Sequence, residues 1–575
     1  MICSLLTLAA LGGLAGPSVL PETIYVDADL TTGANDGSSW ADAYQGSHGL
    51  DAALEAREFG DQIWVTGGRY RPSVDVAGGH FTFLIQGWVQ IHGGFAGGES
   101  SPGERPANGL APTILDGDLA GDDLSAGGSK DDNSRHVVSL DGASGQIDRV
   151  TIEGGFAWGS ASFGGAVDDD GAAPSSTEFM DCTFRDNEAQ VGGGAVACRS
   201  LGTGGAGCRF VGCLFENNFV GAFGGGLYLG GVEQVTLERC EFHGNSAGAG
   251  GALCAVQSAR AEVTDSLFVD NEARGSFGGG AVFLLAQGEL ELASSTVFGN
   301  RALTAAVGGI LKATGADLEV TNSILWGNVG DGGAMGAGNQ LNIQSRVTHS
   351  HVQGWTFGGT ANSSADPMLT DPMGGDFEPL PGSPVIDAAG PENAFFLSVG
   401  DLTGKRRRVD DPQTSNTGVG TGEILDIGAV ERSIGAIGTM FCRGDLNASG
   451  QRGMIDAFGS TTASDNSVVL TASQLPANQF GIFIVSRNLG AGITPSGISI
   501  CLGGPDIGRF IEPGQVLGTG PGGQFSLALD LRAIPTTSGF APVLPGQSWS
   551  FECWHRDPAG LNGYSFTDAT TIVFD

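Results

Sequence analysis

Basic side chains are scarce in this sequence: 27 Lys and Arg stand against 63 Asp and Glu, for a formal charge of −36. That imbalance excludes a nucleic-acid ligand and disfavours acidic polysaccharides such as pectate, since a polyanion is repelled over most of the surface. Neutral glycans and cations, calcium among them, are tolerated. Long charged runs are missing, and a 41% apolar content is too high for a disordered chain. Past the N-terminus no apolar stretch is long enough to span a membrane. Glycine is abundant at 99 residues but has no Gly-X-Y period, which removes collagen. The ten cysteines have no histidines at zinc spacing, Cys208-x4-Cys213 included. Gly-His-Gly and Arg-x-Lys, which a galacturonase-like hydrolase carries beside its carboxylates, are both absent.

What is present begins with an apolar stretch, Ile2 to Leu11, followed by small residues to Gly16. It reads as the core of a signal peptide over 1–22, although no Lys or Arg precedes it. The middle of the chain then repeats. Asn187, Asn218, Asn245, Asn271, Asn300 and Asn328 recur at intervals of 26 to 31 residues. Three residues before each stands an apolar side chain: Phe184, Phe215, Phe242, Phe268, Val297 and Leu325. Two before those comes a small one: Cys182, Cys213, Cys240, Ser266, Ser295 and Ser323. Three further back is a second apolar series: Phe179, Phe210, Leu237, Val263, Leu292 and Val320.

A period near 28 with strand-like alternation specifies a solenoid whose coils pair in parallel, matching positions stacking ~4.8 Å apart. Right-handed winding follows from the handedness of parallel connections. Phenylalanines fill the lumen, and asparagines bond along the stack at a corner. The three in-register cysteines point the same way and cannot all pair, so the cysteines are expected in the core as thiols, not in disulfides or metal sites. After most corners comes Gly-Gly-Ala-apolar, as at Gly164–Val167, Gly193–Val196, Gly250–Leu253 and Gly279–Val282; the glycines permit a sharp turn before a strand restarts.

The paired FxxN and GGA-apolar motifs over about 165–330 resemble the repeats of polymorphic outer membrane proteins, which are β-helical surface adhesins. The flanks resemble another family. Ile24–Asp27, Trp40, a short helix near Leu50–Arg57, and Asp61–Val65 look like the capped entry of bacterial β-helix proteins. Ser323–Asn328, Asp366-Pro367-Met368, Gly382–Asp387 and Asp426–Glu431 look like the close of choice-of-anchor Q proteins, in which a β-helix precedes varied attachment modules. That resemblance covers roughly 24–432 and implies an extracellular role. The last stretch, with Phe480–Val485 and Thr570–Phe574 between Gly/Pro turns, reads as a β-sandwich. Its Asn447–Gly450, Cys501–Gly504 and Trp554–Asp557 resemble a C-terminal domain of secreted planctomycete-type proteins. It is too short for the membrane barrel of autotransporters.

The fold expected is therefore all-β: a signal peptide over 1–22, a capped right-handed parallel β-helix over 23–432 with coils reaching from about 60 to 430, a linker over 433–440 and a small β-sandwich over 441–575. No catalytic constellation is legible. Coil residues Arg185, Arg209, Arg239, Arg274 and Lys312 share no repeat position, as the base of a lyase would require company from calcium-binding carboxylates. Asp116, Asp118, Asp122 and Asp123 are candidates for a calcium site, against the plainer reading of solvated loop aspartates, which also covers Asp131-Asp132 and Asp168-Asp169-Asp170. Asp445–Gly450 with Asp456 imitates a calcium loop without its helices. Lys405-Arg406-Arg407-Arg408 beside Asp410-Asp411 reads as a self-paired surface run. The function expected is a secreted or cell-surface, non-catalytic protein acting in adhesion or in contact with extracellular polysaccharide or envelope components; the alternative is a carbohydrate-active β-helix enzyme, a polysaccharide lyase or glycoside hydrolase. The feature that separates them is a groove where acidic side chains of adjacent coils converge with Arg, Lys or His.

Overall fold

The structure, a computed structural model, describes residues 22–575 except 77–79, 107–110, 124–128, 160–161, 170–174, 201–206, 334, 343–344, 392–399, 408, 410, 412–413, 420–423, 433–434, 443, 445, 449–450, 494–498, 505–506 and 559–562. The expected signal peptide lies outside the described residues.

The repeat is a parallel β-solenoid. In one coil the strands Val196–Arg199, Arg209–Val211, Leu214–Glu216 and Phe219–Val220 follow each other, and each pairs in parallel with its equivalent one coil on. The aligned apolar positions meet in register, Phe184 on Phe215 on Phe242 on Phe268. Their rings stack at 4.8, 4.5 and 4.7 Å between centroids, inside the favourable range for aromatic pairs. One core runs unbroken from Val26 to Val352. At its N-terminal end the helix Gly49–Ala56 buries Leu50, Ala53 and Leu54 against the first coils, which covers a lumen that would otherwise be open.

The corners carry the polar part of the design. Each ladder asparagine is fully buried. Asn187, Asn218, Asn245, Asn271 and Asn300 donate Nδ2 to the next Oδ1 at 3.1, 2.9, 2.9, 2.8 and 2.9 Å. That same Oδ1 also accepts the preceding asparagine's backbone N–H, as Asn245 Oδ1 does from Asn218 at 3.1 Å. Gln340 ends the column, accepting from Asn328 Nδ2 at 2.7 Å. The residue before each asparagine is left-handed, and it is Asp186, Asn217 or Asp270 as readily as Gly244, Gly299 or Gly327. A second left-handed corner precedes the small-residue column, at Asp181, Gly212, Arg239, Asp265, Ser294, Asn322 and His349.

The cysteine column behaves as expected: Cys182, Cys213 and Cys240 are buried thiols that donate to carbonyls one coil back. The serines that replace them accept a backbone N–H from the previous coil, as Ser266 Oγ does from Cys240. One expectation is overturned, because Cys442 and Cys501 form a disulfide with α-carbons 5.7 Å apart. It lies outside the repeat and joins positions 59 apart in the C-terminal domain, so no ladder position announced it.

The coils stop earlier than expected. Strand pairing along the solenoid reaches His351–Val352 and a bridge to Ser363, and described residues between 366 and 432 lie back over the outside as a strap. The reason is written on the outer face of the third strand of each coil. Early coils present Thr183, Arg185, Leu214, Glu216, Glu241 and His243, mostly polar; later ones present Leu267, Val269, Thr296, Phe298, Ile324 and Trp326, mostly apolar. This apolar stretch is covered by Phe377, Val385, Ala389, Leu425, Ile427, Ala429 and Val430 of the strap.

The basic run, expected on the surface, is the staple of this arrangement. Arg407 is 4% exposed. Its Nε meets Asp265 Oδ1 of a coil corner at 2.8 Å, and its other nitrogens reach Glu431 and the carbonyls of Asp426 and Gly428. Arg406, 8% exposed, pairs instead with Asp456 at 3.0 Å and Asp568 at 3.4 Å in the C-terminal domain. Asp456 is thereby committed to an arginine, which removes the imitation calcium loop; Asp445, Arg408 and Asp410 lie outside the described residues.

The C-terminal domain is two antiparallel sheets around one core, Ile455, Leu470 and Phe525 from one facing Phe483, Phe551 and Ile572 from the other. The expected linker is part of it: Ala436–Ile437 is a strand of the first sheet, and Thr439–Cys442 begins the second. Arg487 reaches Glu104 of the solenoid at 3.4 Å.

Two measurements test this account. Asn245→Ala leaves the Asn218 and Asn271 amide groups without their ladder partner, and a loss of about 2–4 kcal/mol in denaturant unfolding is expected, since each orphaned buried group costs ~1–3 kcal/mol. Burial raises the Asp426 carboxyl from 3.8 to about 6, so the folded state holds that proton more tightly than the unfolded chain. Its contribution is complete below about pH 4 and is lost as pH climbs through about 6. Asp426→Asn should flatten the fall in thermal midpoint between those values; an unchanged slope would contradict the assignment.

Candidate functional site

The outward positions of the solenoid's second strand form a continuous polar column. In register from coil to coil stand Gln62, Gln90, Gln146, Glu178, Arg209, Thr236, Glu262, Glu291, Glu319 and Arg346. Arginines divide the acids among them. Arg260 Nη2 bridges Glu262 at 2.9 Å and Glu291 at 2.6 Å; Arg346 bridges Asp317 and Glu319, both at 3.1 Å; Arg209 pairs with Glu178 and with Glu238.

Near the C-terminal end this column borders a cleft of about 390 Å³ lined by Glu291, Glu319, Thr321, Asn322, Thr348, His349, Thr360 and Pro391. The corner residues Asn322 and His349 are left-handed, and both line the cleft. The strap supplies a wall: Gly390 donates its N–H to Asn322 Oδ1 at 2.7 Å. A β-carbon there would lie 2.3 Å from the His349 ring, so only glycine lets the strap approach this closely. Partial burial pushes the Glu291 carboxyl up, Arg260 pulls it back, and Glu262 and Glu319 raise it again. Burial lowers the His349 imidazole, which keeps it neutral at neutral pH. The cleft thus combines two carboxylates of adjacent coils, an uncharged imidazole and threonine hydroxyls.

Glu262, Glu291 and Glu319 each precede an aligned core residue, Val263, Leu292 or Val320, by one position. The repeat therefore contained the column. His349 carried no signal, because its corner is set by backbone conformation rather than residue type.

The four predicted aspartates separate. Asp116, 2% exposed, is held by Arg69 at 3.0 Å and Arg71 at 3.1 Å. Asp123 accepts from Asn133 Nδ2 at 2.8 Å. Asp118 and Asp122 come together with Asp132, one oxygen of each lying within 4.8 Å of the others. Buried oxygens of Asp122, Asp123 and Asn133 beside this trio have no hydrogen-bond partner among the described residues. The donor set is all oxygen, which suits a hard cation such as calcium. Asp168 instead takes Arg199 at 2.7 and 2.8 Å; Asp170 lies outside the described residues.

The family model described as "Right handed beta helix region" matches residues 130–297 and again 171–365, in agreement with the coils. No curated protein matches the chain. Among solved structures, the crystal structure of pectate lyase Pel9A is similar at 14% identity, over 72% of this chain and 97% of that one, with a TM-score of 0.34. Among the described residues no helix is long and apolar enough to cross a membrane.

Proposed function

We propose that this is a secreted or cell-surface β-helix protein that binds extracellular glycan, of a matrix or an envelope, along the glutamate-bearing face without turning it over. The observation that carries this reading is the cleft of Glu291, Glu319 and His349, placed at the end of a polar column spanning the solenoid. Carboxylates and hydroxyls repeating at coil spacing offer charge-assisted hydrogen bonds to successive sugar hydroxyls. The net charge favours neutral chains over polyanions.

A second reading has its own support. Glu291 and Glu319 face the same cleft from coils ~4.8 Å apart, and burial with like-charged neighbours holds the Glu291 carboxyl up, as a hydrolase needs for its proton donor. Incubation with a panel of plant and algal polysaccharides separates the two. Binding is expected in affinity electrophoresis without new reducing ends or unsaturated products, and the double variant Glu291→Gln, Glu319→Gln should weaken it about tenfold, the effect of ~1.4 kcal/mol. Products that Glu291→Gln abolishes would replace the binding role with hydrolysis; binding untouched by the double variant would remove the cleft from either role.

We further propose that Asp118, Asp122 and Asp132 hold a calcium ion. Calcium restored after chelation should raise the thermal midpoint, and Asp118→Asn should cancel the rise. A midpoint indifferent to calcium in the native chain would rule the site out.

A further inference from the structure

One coil of the solenoid differs from those after it at the turn between its first two strands. Cys198, near the end of Val196–Arg199, faces the lumen, and so does Cys208, just ahead of Arg209–Val211. Register gives the equivalents of both positions. Cys198 pairs with Leu229, which pairs with Ala255, which pairs with Leu284. Arg209 pairs with Thr236, so Cys208 stands level with Val235, and that column continues to Ala261 and Leu290. Each of the next three coils therefore crosses this turn in six positions, between two apolar side chains buried in the same core. The coil of Cys198 takes ten, and both of its apolar positions are cysteine.

The two thiols are immediate neighbours. Both are buried, and the adjacent Cys208 thiol pushes Cys198 well above its usual range, with burial and Asp169 of the preceding coil adding to the effect. The column of Cys182, Cys213 and Cys240 is arranged differently: its members repeat one position on successive coils, point the same way and donate to carbonyls one coil back. Cys198 and Cys208 belong to consecutive strands of a single coil and approach each other across its turn, the relation a disulfide needs. Both are thiols in this structure, whereas Cys442 and Cys501 are joined. A chain that holds one disulfide has met a disulfide donor.

We propose that Cys198 and Cys208 are oxidised to a second disulfide, which staples the base of this lengthened turn inside the solenoid wall. The four added positions raise the entropy cost of closing the turn, and a bond at its base removes that freedom from the unfolded chain. The oxidant is the disulfide donor that also serves Cys442 and Cys501. One cysteine thiolate attacks the donor's S–S bond and expels a donor thiol. The second thiolate then attacks the mixed disulfide and expels the other, so two protons and two electrons pass from the cysteines to the donor sulfurs. Closure belongs to the folding chain, because the packed Cys198 yields little thiolate, the attacking species. Once formed, the bond is sealed in the lumen away from reductants.

The test uses the full chain in a preparation that holds the Cys442–Cys501 bond, blocked with N-ethylmaleimide, unfolded without reductant and digested with trypsin. Cleavage after Arg185, Arg199 and Arg209 leaves Cys198 as the only cysteine of 186–199 and Cys208 as the only cysteine of 200–209. Mass spectrometry should find these two peptides joined, and reduction should separate them with a gain of two hydrogens. In Cys208→Ala the 186–199 peptide should instead carry maleimide, while the link between 433–443 and 488–509 persists. That second link shows in every digest that the donor reached the chain. Its presence together with 186–199 and 200–209 recovered singly as maleimide adducts would overturn the proposal. So would either peptide joined to the one that carries Cys182, Cys213 or Cys240.

Discussion

Everything in this protein depends on keeping one coil in register with the next. The buried asparagine column enforces that condition, because Asn245 satisfies its own amide and the backbone of Asn218 only when Asn271 stands one coil above it. A slip of one residue would orphan several buried donors at once and turn the phenylalanine ladder toward solvent. Stacked rings alone permit sliding; amide groups with fixed directions do not. The hydrophobic column supplies most of the free energy of burial, and the polar column makes a single register acceptable.

A solenoid built this way has no intrinsic end, and its repeat would continue to expose the same faces. The chain resolves this by changing the outward residues. From Leu267 onward the outer face of the third strand becomes mostly apolar, Thr296 excepted in the covered coils, and the strap lies on it. Such a covering could slide, too, if only apolar contacts held it. Arg407 pins it by pairing with Asp265, a coil corner, while also bonding to backbone carbonyls of the strap. Burying a guanidinium is tolerable only with this many partners. Its neighbour Arg406 points the other way, to Asp456 and Asp568, so two consecutive arginines join the solenoid, the strap and the C-terminal domain.

This division explains what was legible beforehand. Phe184, Cys182 and Asn187 belong to columns repeated six times in sequence, and repetition reveals position even without a structure. The left-handed corners were half visible: Gly193 and Gly250 announce themselves, whereas Arg239, Asp265 and His349 occupy the same conformation without any compositional mark. Unique long-range partners were not legible at all. Arg407 in a run of four bases looks solvated, and nothing local says that it meets Asp265, 142 positions earlier. The Cys442–Cys501 pair failed for the same reason. The acidic trio was partly anticipated through Asp118 and Asp122, but Asp132 joins them only because the loop returns.

The glutamate column carries a cost that the regularity of the coils does not demand. Like charges directly opposite on neighbouring strands are destabilising, and Glu262, Glu291 and Glu319 stand in register on three successive coils. Threonine, already used at this position as Thr236, would pair along the stack without repulsion. Arg260 and Arg346 offset part of the cost, yet they do not remove it, since burial and the flanking acids still hold the Glu291 proton more tightly than in water. The coils before and after tolerate neutral or alternating residues there, so the scaffold does not demand three acids. A local cost that the fold does not require, sited beside a cleft walled by a glycine-dependent turn of the strap, is the physical ground on which the binding role is proposed for this face.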